Sequence, residues 1–255
     1  MSIFKQVMTE LANGQRSPAF SDTLEPDQYG LVYVGGEISV YTVIEAYTKG
    51  CFPWTGSHPV PWFSPDPRLV LFPKNFRASR SLRKLARQKK FKVRFDADFR
   101  AVMENCAAIP RKGQKGTWIT ENMKETYCEL HDMHIAHSVE VYQNEQLCGG
   151  LYGLTFGHAF FGESMFSRVP STSKLALYVL CVVLAAKKFD FIDCQQITSH
   201  LMRLGAVPLS HREYMKRLNR TLAAESHHES WEGYLRSVSR AGSFEKSRGD
   251  GIFVA

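Results

Sequence analysis

The chain has 255 residues, of which 44% are hydrophobic and 12% aromatic, so it can bury a substantial core and is not an intrinsically disordered protein. Its net charge is +7, and the window 74–90 alone holds eight basic residues and no acidic one. This concentration of charge predicts a local surface that binds a polyanion, rather than a generally basic protein.

The chain also lacks the usual signals for export or membrane insertion. Its longest apolar run, residues 175–186, has 12 residues, whereas a membrane-spanning helix needs about 20. The first 15 residues contain no apolar leader segment. The six cysteines form no C-x-x-C pair. We therefore expect a cytoplasmic protein with reduced cysteines and no membrane partner.

The first predicted element is a helix that begins at Val40, is capped by Ser39 and ends before Gly50. Residues 52–68 contain five prolines, which favour extended and turn conformations over helix. We place a boundary near Pro67, between a small N-terminal domain (residues 1–67) and a larger domain (residues 68–224).

Hydrophobic periodicity in the larger domain predicts alternating strands and helices. Strands are predicted at 69–72, 91–95, 138–142, 146–155, 158–166 and 189–195. Helices are predicted at 79–88, 99–108, 121–133 and 211–223, together with a long helix capped within 171–173. Three successive antiparallel strands, followed by a helix and another strand, predict an α/β (α+β) fold with a mixed sheet. Residues 225–255 show no such pattern, which predicts a loosely ordered tail.

The basic window contains a predicted helix with one cationic face. Arg80, Arg83, Lys84 and Arg87 recur at helical spacing, while Leu82 and Leu85 point inward. We interpret this face as a set of phosphate contacts to RNA. The alternative is a solvated basic face without a ligand.

Two polar residues end the apolar strand predicted at 189–195. Alternation places Asp193 and Gln195 on one face of the strand and Ile192 on the other. Burying an unpaired carboxylate is costly, so Asp193 must have a partner or line a polar cleft. A structural hydrogen-bonding role is the alternative to a role in chemistry, but ligands commonly bind at the carboxyl ends of such strands.

The strand predicted at 158–166 also mixes polar and apolar side chains. Glu163 and Ser164 lie among apolar residues that include Phe160 and Met165. This mixture is typical of an apolar pocket with a few orienting polar groups. The alternative is an edge strand with Glu163 in solvent.

Two further patterns, one typical of a metal site and one of a CoA site, are too weak to predict either ligand. The series His131, His134 and His137 runs from a helix into a strand without a nearby cysteine, so we expect no metal. The segment 246–251 only approximates the pyrophosphate loop of acetyl-CoA-dependent enzymes and is not followed by a helix.

Ten short motifs, in order between Gly30 and Leu222, resemble those of the bacterial leucyl/phenylalanyl-tRNA–protein transferases. They are GGEIS (35–39), FPW (52–54), WFSPDPR (62–68), SRSL (79–82), GTWIT (116–120), HSVE (137–140), GGLYG (149–153), FGESMFS (161–167), IDCQ (192–195) and LGA (204–206). Each motif alone has low specificity, whereas the ordered series is highly specific. Gln196 stands where the family pattern has an apolar residue.

The resemblance implies an activity and its partners. Members of that family move Leu or Phe, and Met less well, from aminoacyl-tRNA to an N-terminal Arg or Lys of a protein. The added residue marks the protein for N-end-rule degradation. The resemblance further implies that the larger domain has a fold similar to the GCN5-related N-acetyltransferases, and that neither a cofactor nor a metal is needed.

The resemblance also implies roles for residues of this chain. Asp193 and Gln195 correspond to the pair that handles the acceptor amine. The helix 79–88 corresponds to the basic cluster that faces tRNA. The residues of this chain that correspond to positions around the aminoacyl-adenosine are Trp54, Trp118, Phe160, Glu163, Ser164 and Met165. Two other classes remain open from the sequence: a CoA-dependent N-acetyltransferase on the same fold and a non-catalytic RNA-binding module.

Overall fold

The computed structural model describes residues 3–15, 19–21, 24–54, 58–88, 90–109, 117–223 and 229–231. The helices are α1 (Ile3–Ala12), α2 (Val40–Thr48), α3 (Arg80–Arg87), α4 (Phe99–Ala108), α5 (Glu121–Asp132), α6 (Thr172–Ala186), α7 (Ser199–Arg203) and α8 (His211–Leu222). The strands are β1 (Leu31–Val34), β2 (Phe52–Pro53), β3 (Pro61–Phe63), β4 (Arg68–Leu71), β5 (Lys92–Phe95), β6 (Ala136–Gln143), β7 (Gln146–Phe156), β8 (Ala159–Ser167), β9 (Phe191–Gln195) and β10 (Val207–Leu209).

Within the described residues the strands form two sheets. The larger has the order β10-β4-β9-β8-β7-β6-β5, and the smaller has the order β1-β3-β2. In the larger sheet β8 and β9 are parallel, joined by the crossover helix α6, and the other neighbouring pairs are antiparallel. This arrangement confirms the predicted α/β fold with a mixed sheet.

Local sequence signals explain many of the element ends. Ser39 begins α2 with a capping box to Thr42, and Ser210 begins α8 with a capping box to Glu213. The β6–β7 turn uses left-handed backbone conformations at Asn144 and Glu145, as a tight hairpin requires. These short-range signals are visible in the sequence, and the predicted elements end within two residues of the observed ones.

Hydrophobic clusters cover both faces of the larger sheet. One lies under α6 and α3, and the other lies against α2, α4, α5 and α8. The second cluster also contains core residues of the first 67 positions, among them Val43, Tyr47 and Trp62. The predicted boundary near Pro67 lies between β3 and β4, but a shared core spans it, so the division into domains stays a prediction.

The predicted loosely ordered tail, residues 225–255, lies mostly outside the described residues. Within the described segment 229–231, Trp231 is only 1% exposed. Its ring stacks on His137 at 4.1 Å between centroids, and its backbone N–H donates to Asp96 at 3.0 Å. Trp231 is therefore part of the packed core.

None of the described helices combines the length and the apolar character that crossing a bilayer requires.

Candidate active site

A bulge in the sheet places Glu163, the central polar residue of the candidate site. In the β7–β8 ladder Tyr152 pairs with Ser164 and Gly153 with Gly162, which leaves Glu163 as the extra residue. An extra residue of this kind disrupts the local ladder and redirects its side chain. Since β8 lies between β7 and β9, the alternative of an edge strand with Glu163 in solvent is wrong.

Three side chains donate hydrogen bonds to the Glu163 carboxylate. The Tyr47 hydroxyl donates to Oε1 at 2.6 Å, and the Tyr127 hydroxyl donates to Oε2 at 3.2 Å. Nε2 of Gln195 donates to Oε1 at 2.9 Å. Burial raises the pKa of Glu163 to about 7, although these hydrogen bonds oppose the increase. Burial also raises the pKa of both tyrosines, so they remain protonated donors.

The backbone at the end of β9 directs the Gln195 amide to Glu163. Gln195 has a φ of +62°, a left-handed conformation that is uncommon outside glycine. Its backbone N–H donates to Oδ1 of Asp193 at 2.8 Å, which stabilises this turn. Because the amide nitrogen of Gln195 is bound to Glu163, the amide oxygen is the acceptor that this geometry leaves for a ligand.

Asp193 lies in a buried ion pair with Arg68. Nε of Arg68 donates to Oδ1 at 2.9 Å and Nη2 donates to Oδ2 at 2.7 Å, while the Tyr214 hydroxyl donates to Oδ2 at 2.8 Å. The two side chains of the pair are 1% and 0% exposed. Burial opposes the charge on Arg68, but the Asp193 carboxylate raises the pKa of Arg68 above its ordinary value. The sequence predicted that Asp193 has a partner or lines a polar cleft, and Arg68 is that partner.

The ion pair is also enclosed by aromatic rings. The guanidinium carbon of Arg68 lies 4.6 Å from the ring centroids of both Phe52 and Tyr214. Its Nη1 donates to the carbonyl oxygen of Gly50 at 3.2 Å. These contacts hold Arg68, and through it Asp193, in one position beneath the Gln195 turn.

A cavity of about 300 Å³ opens beside Glu163 and Gln195. Its apolar lining comes from β7, β8, α6, β9 and α7, namely Leu151, Phe160, Met165, Leu177, Leu180, Ile192 and Leu201. Ser164, Thr198 and His200 add polar atoms. Such a lining is typical of a site that binds an apolar group and orients it with a few hydrogen bonds.

Most of the predicted catalytic and substrate-binding residues meet at this cavity, which we call the acyl cavity. Its described lining includes Phe160, Glu163, Ser164, Met165, Asp193 and Gln195. The two predicted tryptophans are not part of that lining. Trp54 is 39% exposed and packs edge-on against Phe63, and Trp118 is partly buried against the cluster of α2, α4, α5 and α8.

The predicted tRNA-facing residues lie together on α3. Arg80, Lys84 and Arg87 are exposed, and Arg83 is partly buried. Leu82 and Ala86 are buried on the opposite face, where α3 packs against α6.

Sequence reasoning missed Tyr47, Tyr127, Arg68 and Tyr214. The two tyrosines that bind Glu163 lie on the buried faces of α2 and α5, where nothing in the pattern distinguishes them from core residues. The need for a partner to Asp193 was visible, but its identity was not, because Arg68 and Asp193 are 125 residues apart.

The histidine series is not among the described residues that line the acyl cavity. His137 hydrogen-bonds Asp96 at 2.8 Å, and His131 stacks on Phe99. Gln196 is not among the described residues that line the cavity. The segment 246–251 lies outside the described residues.

Solved structures with a similar arrangement include two related to acetyltransferases. A GCN5-related N-acetyltransferase from Kribbella flavida has a TM-score of 0.34 and 8% identity, over 64% of this chain and 58% of that one. A GCN5-related N-acetyltransferase-like protein from Streptococcus suis has a TM-score of 0.31 and 13% identity, over 56% and 57%. With TM-scores this low, neither neighbour adds to the fold assignment made from the strands themselves.

Sequence relatives are much closer. A protein of Legionella pneumophila (strain Lens) is 46% identical over 213 residues, or 83% of this chain and 95% of that protein. One of Pseudomonas putida (strain W619) is 51% identical over 189 residues, or 74% and 83%. Both are named leucyl/phenylalanyl-tRNA–protein transferase.

Family models match two consecutive parts of the chain. Residues 70–219 match the leucyl/phenylalanyl-tRNA protein transferase model, and residues 36–66 match the model of that enzyme's N-terminal domain. Together with the relatives, these matches show that the chain belongs to the leucyl/phenylalanyl-tRNA–protein transferase family of aminoacyltransferases.

Proposed function

We propose that the protein transfers Leu or Phe, and Met less well, from aminoacyl-tRNA to the α-amino group of an N-terminal Arg or Lys of a protein. The product then carries a residue that marks it for N-end-rule degradation. One observation carries this proposal: an apolar cavity of about 300 Å³ adjoins the hydrogen-bonded pair of Glu163 and Gln195.

The reaction needs little more than positioning. The amine nitrogen attacks the ester carbonyl carbon, the new C–N bond forms, and the bond to the ribose oxygen breaks. The amine loses a proton, and the ribose oxygen gains one. An α-amino group with a pKa of about 7.7–8.0 is partly neutral at pH 7, so a strong general base is unnecessary. Holding the amine and the ester together can then supply much of the rate.

In the proposal, Gln195 binds the attacking amine and Asp193 positions Gln195. The Gln195 amide oxygen accepts a hydrogen bond from the attacking amine, since the amide nitrogen is bound to Glu163. Asp193 acts through Gln195 as a positioning residue, because its carboxylate is occupied by Arg68, Tyr214 and the Gln195 backbone.

The lining of the acyl cavity supports the proposed choice of transferred residue. Phe160, Ser164 and Met165 line it together with leucines of α6, which suits the unbranched Cβ of Leu, Phe and Met. Ile and Val carry a second heavy substituent on Cβ and have fewer χ1 rotamers, so we expect a close-fitting cavity to reject them.

In this proposal, residues other than Gln195 and Asp193 bind the acceptor protein and the tRNA. Glu163 favours a cationic N-terminal residue, because a nearby positive charge stabilises its ionised form. Arg80, Arg83, Lys84 and Arg87 contact tRNA phosphates from α3. Trp54 and Trp118 stack on the single-stranded 3′ bases.

A cytoplasmic location is also proposed. All six cysteines lie in the described part of the chain, and none of them forms a disulfide. Unpaired cysteines in this number support a reducing compartment.

Transfer of radiolabelled Phe from Phe-tRNA to peptides tests the proposal. The peptides begin with Arg, Lys or Ala, and a fourth has an acetylated N-terminal Arg. We expect label on the first two peptides only, because the chemistry needs both a basic first residue and a free amine. Equal labelling of the Ala peptide, or no labelling at all, would refute the proposed function.

A further inference from the structure

A second, larger cavity lies at the other end of β9 from Gln195. Its volume is about 810 Å³, and it is formed by the 3₁₀ turn Pro73–Asn75, the turn that follows α6, and α8. We call it the basic groove and define it by Lys74, Lys188, Arg217 and Arg220. A single acid, Asp190, lies among its described lining residues.

The charges of the basic groove are arranged to bind an anion. Arg217 and Arg220 both donate to Asp190, at 3.1 Å and 2.7 Å to Oδ2, so this one carboxylate orients two guanidinium groups. Arg217 also lies 4.7 Å over the ring centroid of Phe72. Lys74 and Lys188 are exposed, and Arg220 is 66% exposed. Four cations thus surround one acid, and three of them, Lys74, Lys188 and Arg220, are exposed.

The basic groove is connected to the acyl cavity by α7. His200 and Leu201 of α7 line that cavity. Leu204 directly follows the helix as its C-cap, and its carbonyl oxygen accepts the Arg77 N–H at 2.8 Å. There is no gap at this contact, since a Cβ on Gly205 would lie 2.4 Å from the carbonyl oxygen of Asn75. Asn75 in turn lines the basic groove.

Basic side chains lie on the surface between the acyl cavity and the basic groove, which we call the connecting surface. Arg203 ends α7 and Arg77 follows the 3₁₀ turn, and both are exposed. The surface therefore leads from the acyl cavity through Arg203 and Arg77 to Lys74. Asp190 of the basic groove and Gln195 of the acyl cavity are five positions apart along the chain, or about 16 Å at about 3.3 Å per extended residue.

We infer that the basic groove binds backbone phosphates of the tRNA, several nucleotides away from the aminoacylated 3′ end. This inference rests on the proposed function, in which that 3′ end occupies the acyl cavity. RNA fits better than an acidic protein segment, because a polyanion anchored at the acyl cavity already adjoins the connecting surface. Oriented arginines and accessible lysines are the groups that bind phosphates.

Salt-dependent tRNA binding tests the inference. Lys74→Gln combined with Lys188→Gln removes two cations without disturbing the pairs with Asp190. A matched control, Arg100→Gln with Lys124→Gln, removes two cations from α4 and α5, where both side chains pair with Glu121. The dissociation constant for Phe-tRNA is measured between about 50 and 300 mM KCl, a range over which phosphate contacts weaken strongly, for the unsubstituted protein and both variants.

We expect the groove variant to bind tRNA more weakly and to lower the slope of log K against log [KCl] by about 2, or about 1 for each lost phosphate contact. The control should keep the slope of the unsubstituted protein. Equal slopes for the groove variant and the control would overturn the inference. Transfer of Phe to the Arg peptide by the unsubstituted protein, run in parallel, separates this result from a failure of the proposed function itself.

Discussion

The amide of Gln195 connects the ordered part of the site to the proposed reaction, because its nitrogen is held by Glu163 and its oxygen remains an acceptor. Replacing Gln195 by Ala removes this acceptor and leaves the Arg68–Asp193 pair in place. We expect Gln195→Ala to lower the turnover number at least tenfold, with little change in tRNA affinity. Steady-state transfer of Phe to an Arg peptide, with tRNA binding measured separately, checks this prediction.

The adjacent amide supplies the control for Gln195. Gln196 has the same side chain and lies outside the described lining of the acyl cavity. Gln196→Ala should therefore change turnover less than about twofold, since it removes a partly buried side chain that is not part of this lining. Similar losses in the two variants, or a loss below tenfold for Gln195→Ala, would remove Gln195 from the reaction.

Residue types and short patterns are enough to predict part of the site from the sequence. Glu163 and Asp193 stand out as acids within apolar runs, and the cost of burying them predicts partners. The geometry of the site cannot be predicted in this way, because it depends on a β-bulge at Glu163 and a left-handed backbone at Gln195. A prediction from the alternation of side chains assumes a regular strand, which contains neither a bulge nor a left-handed residue.

Elements with strong local signals can be predicted closely. The helix predicted at 99–108 matches α4, and the strands predicted at 138–142 and 146–155 correspond to the hairpin of β6 and β7. The helix α1 and the strands β1–β3 were not predicted, because the strands are short and two of them lie in the proline-rich segment. Their pairing depends on contacts that sequence periodicity does not reveal.

The described segment 229–231 contributes one large buried side chain. Trp231 packs against Phe95, Phe160 and Phe189 in addition to its stacking on His137. We expect Trp231→Ala to lower the free energy of unfolding by about 3–5 kcal/mol, because it leaves a large cavity in the core. Urea unfolding followed by circular dichroism measures this loss.

Trp54→Ala provides the comparison, because Trp54 is exposed to solvent over more than a third of its surface. Its loss should lower the free energy of unfolding by less than the loss of Trp231 does, because less of its surface is buried by folding. If Trp231→Ala were equally mild, the segment would be only loosely attached, as the sequence alone predicts for residues 225–255.

At the scale of the whole molecule, the candidate active site depends on the shared core. Tyr47 of α2 reaches Glu163 of β8 across 116 positions of sequence, and its ring packs edge-on against Phe161. Gly50 accepts a hydrogen bond from Arg68, which pairs with Asp193. The first 67 residues therefore help to position the acids of the site.

Two buried acids contribute to the pH dependence of the whole fold. Burial raises the pKa of Glu163 and of Glu140 to about 7, from an ordinary value of 4.5. Oε1 of Glu140 accepts the Ser138 hydroxyl at 2.5 Å, but Oε2 is buried without a hydrogen-bond partner among the described residues. Between about pH 4.5 and 7 the unfolded chain releases these protons while the folded chain retains them. The contribution of these two acids to the free energy of unfolding therefore falls as the pH rises through this range.

Asp96 contributes in the opposite direction, but only at lower pH. Burial opposes its ionisation, yet the hydrogen bond and charge of His137 lower the pKa of Asp96 below its ordinary value of 3.8. The stability that it contributes is present above that value and is lost as the pH falls through the lowered pKa. It therefore does not offset the fall between about pH 4.5 and 7.

We therefore expect a higher urea midpoint at about pH 5 than at about pH 8, on either side of the raised pKa values. Glu140→Gln should reduce this difference, because it removes one of the two buried acids and lies outside the acyl cavity. Glu125→Gln, at an exposed position of α5, should leave the difference unchanged. The same midpoint at both pH values would contradict the prediction for the two acids together. A Glu140→Gln variant with the full difference would contradict it for Glu140, because that result means that Glu140 ionises near its ordinary pKa inside the fold.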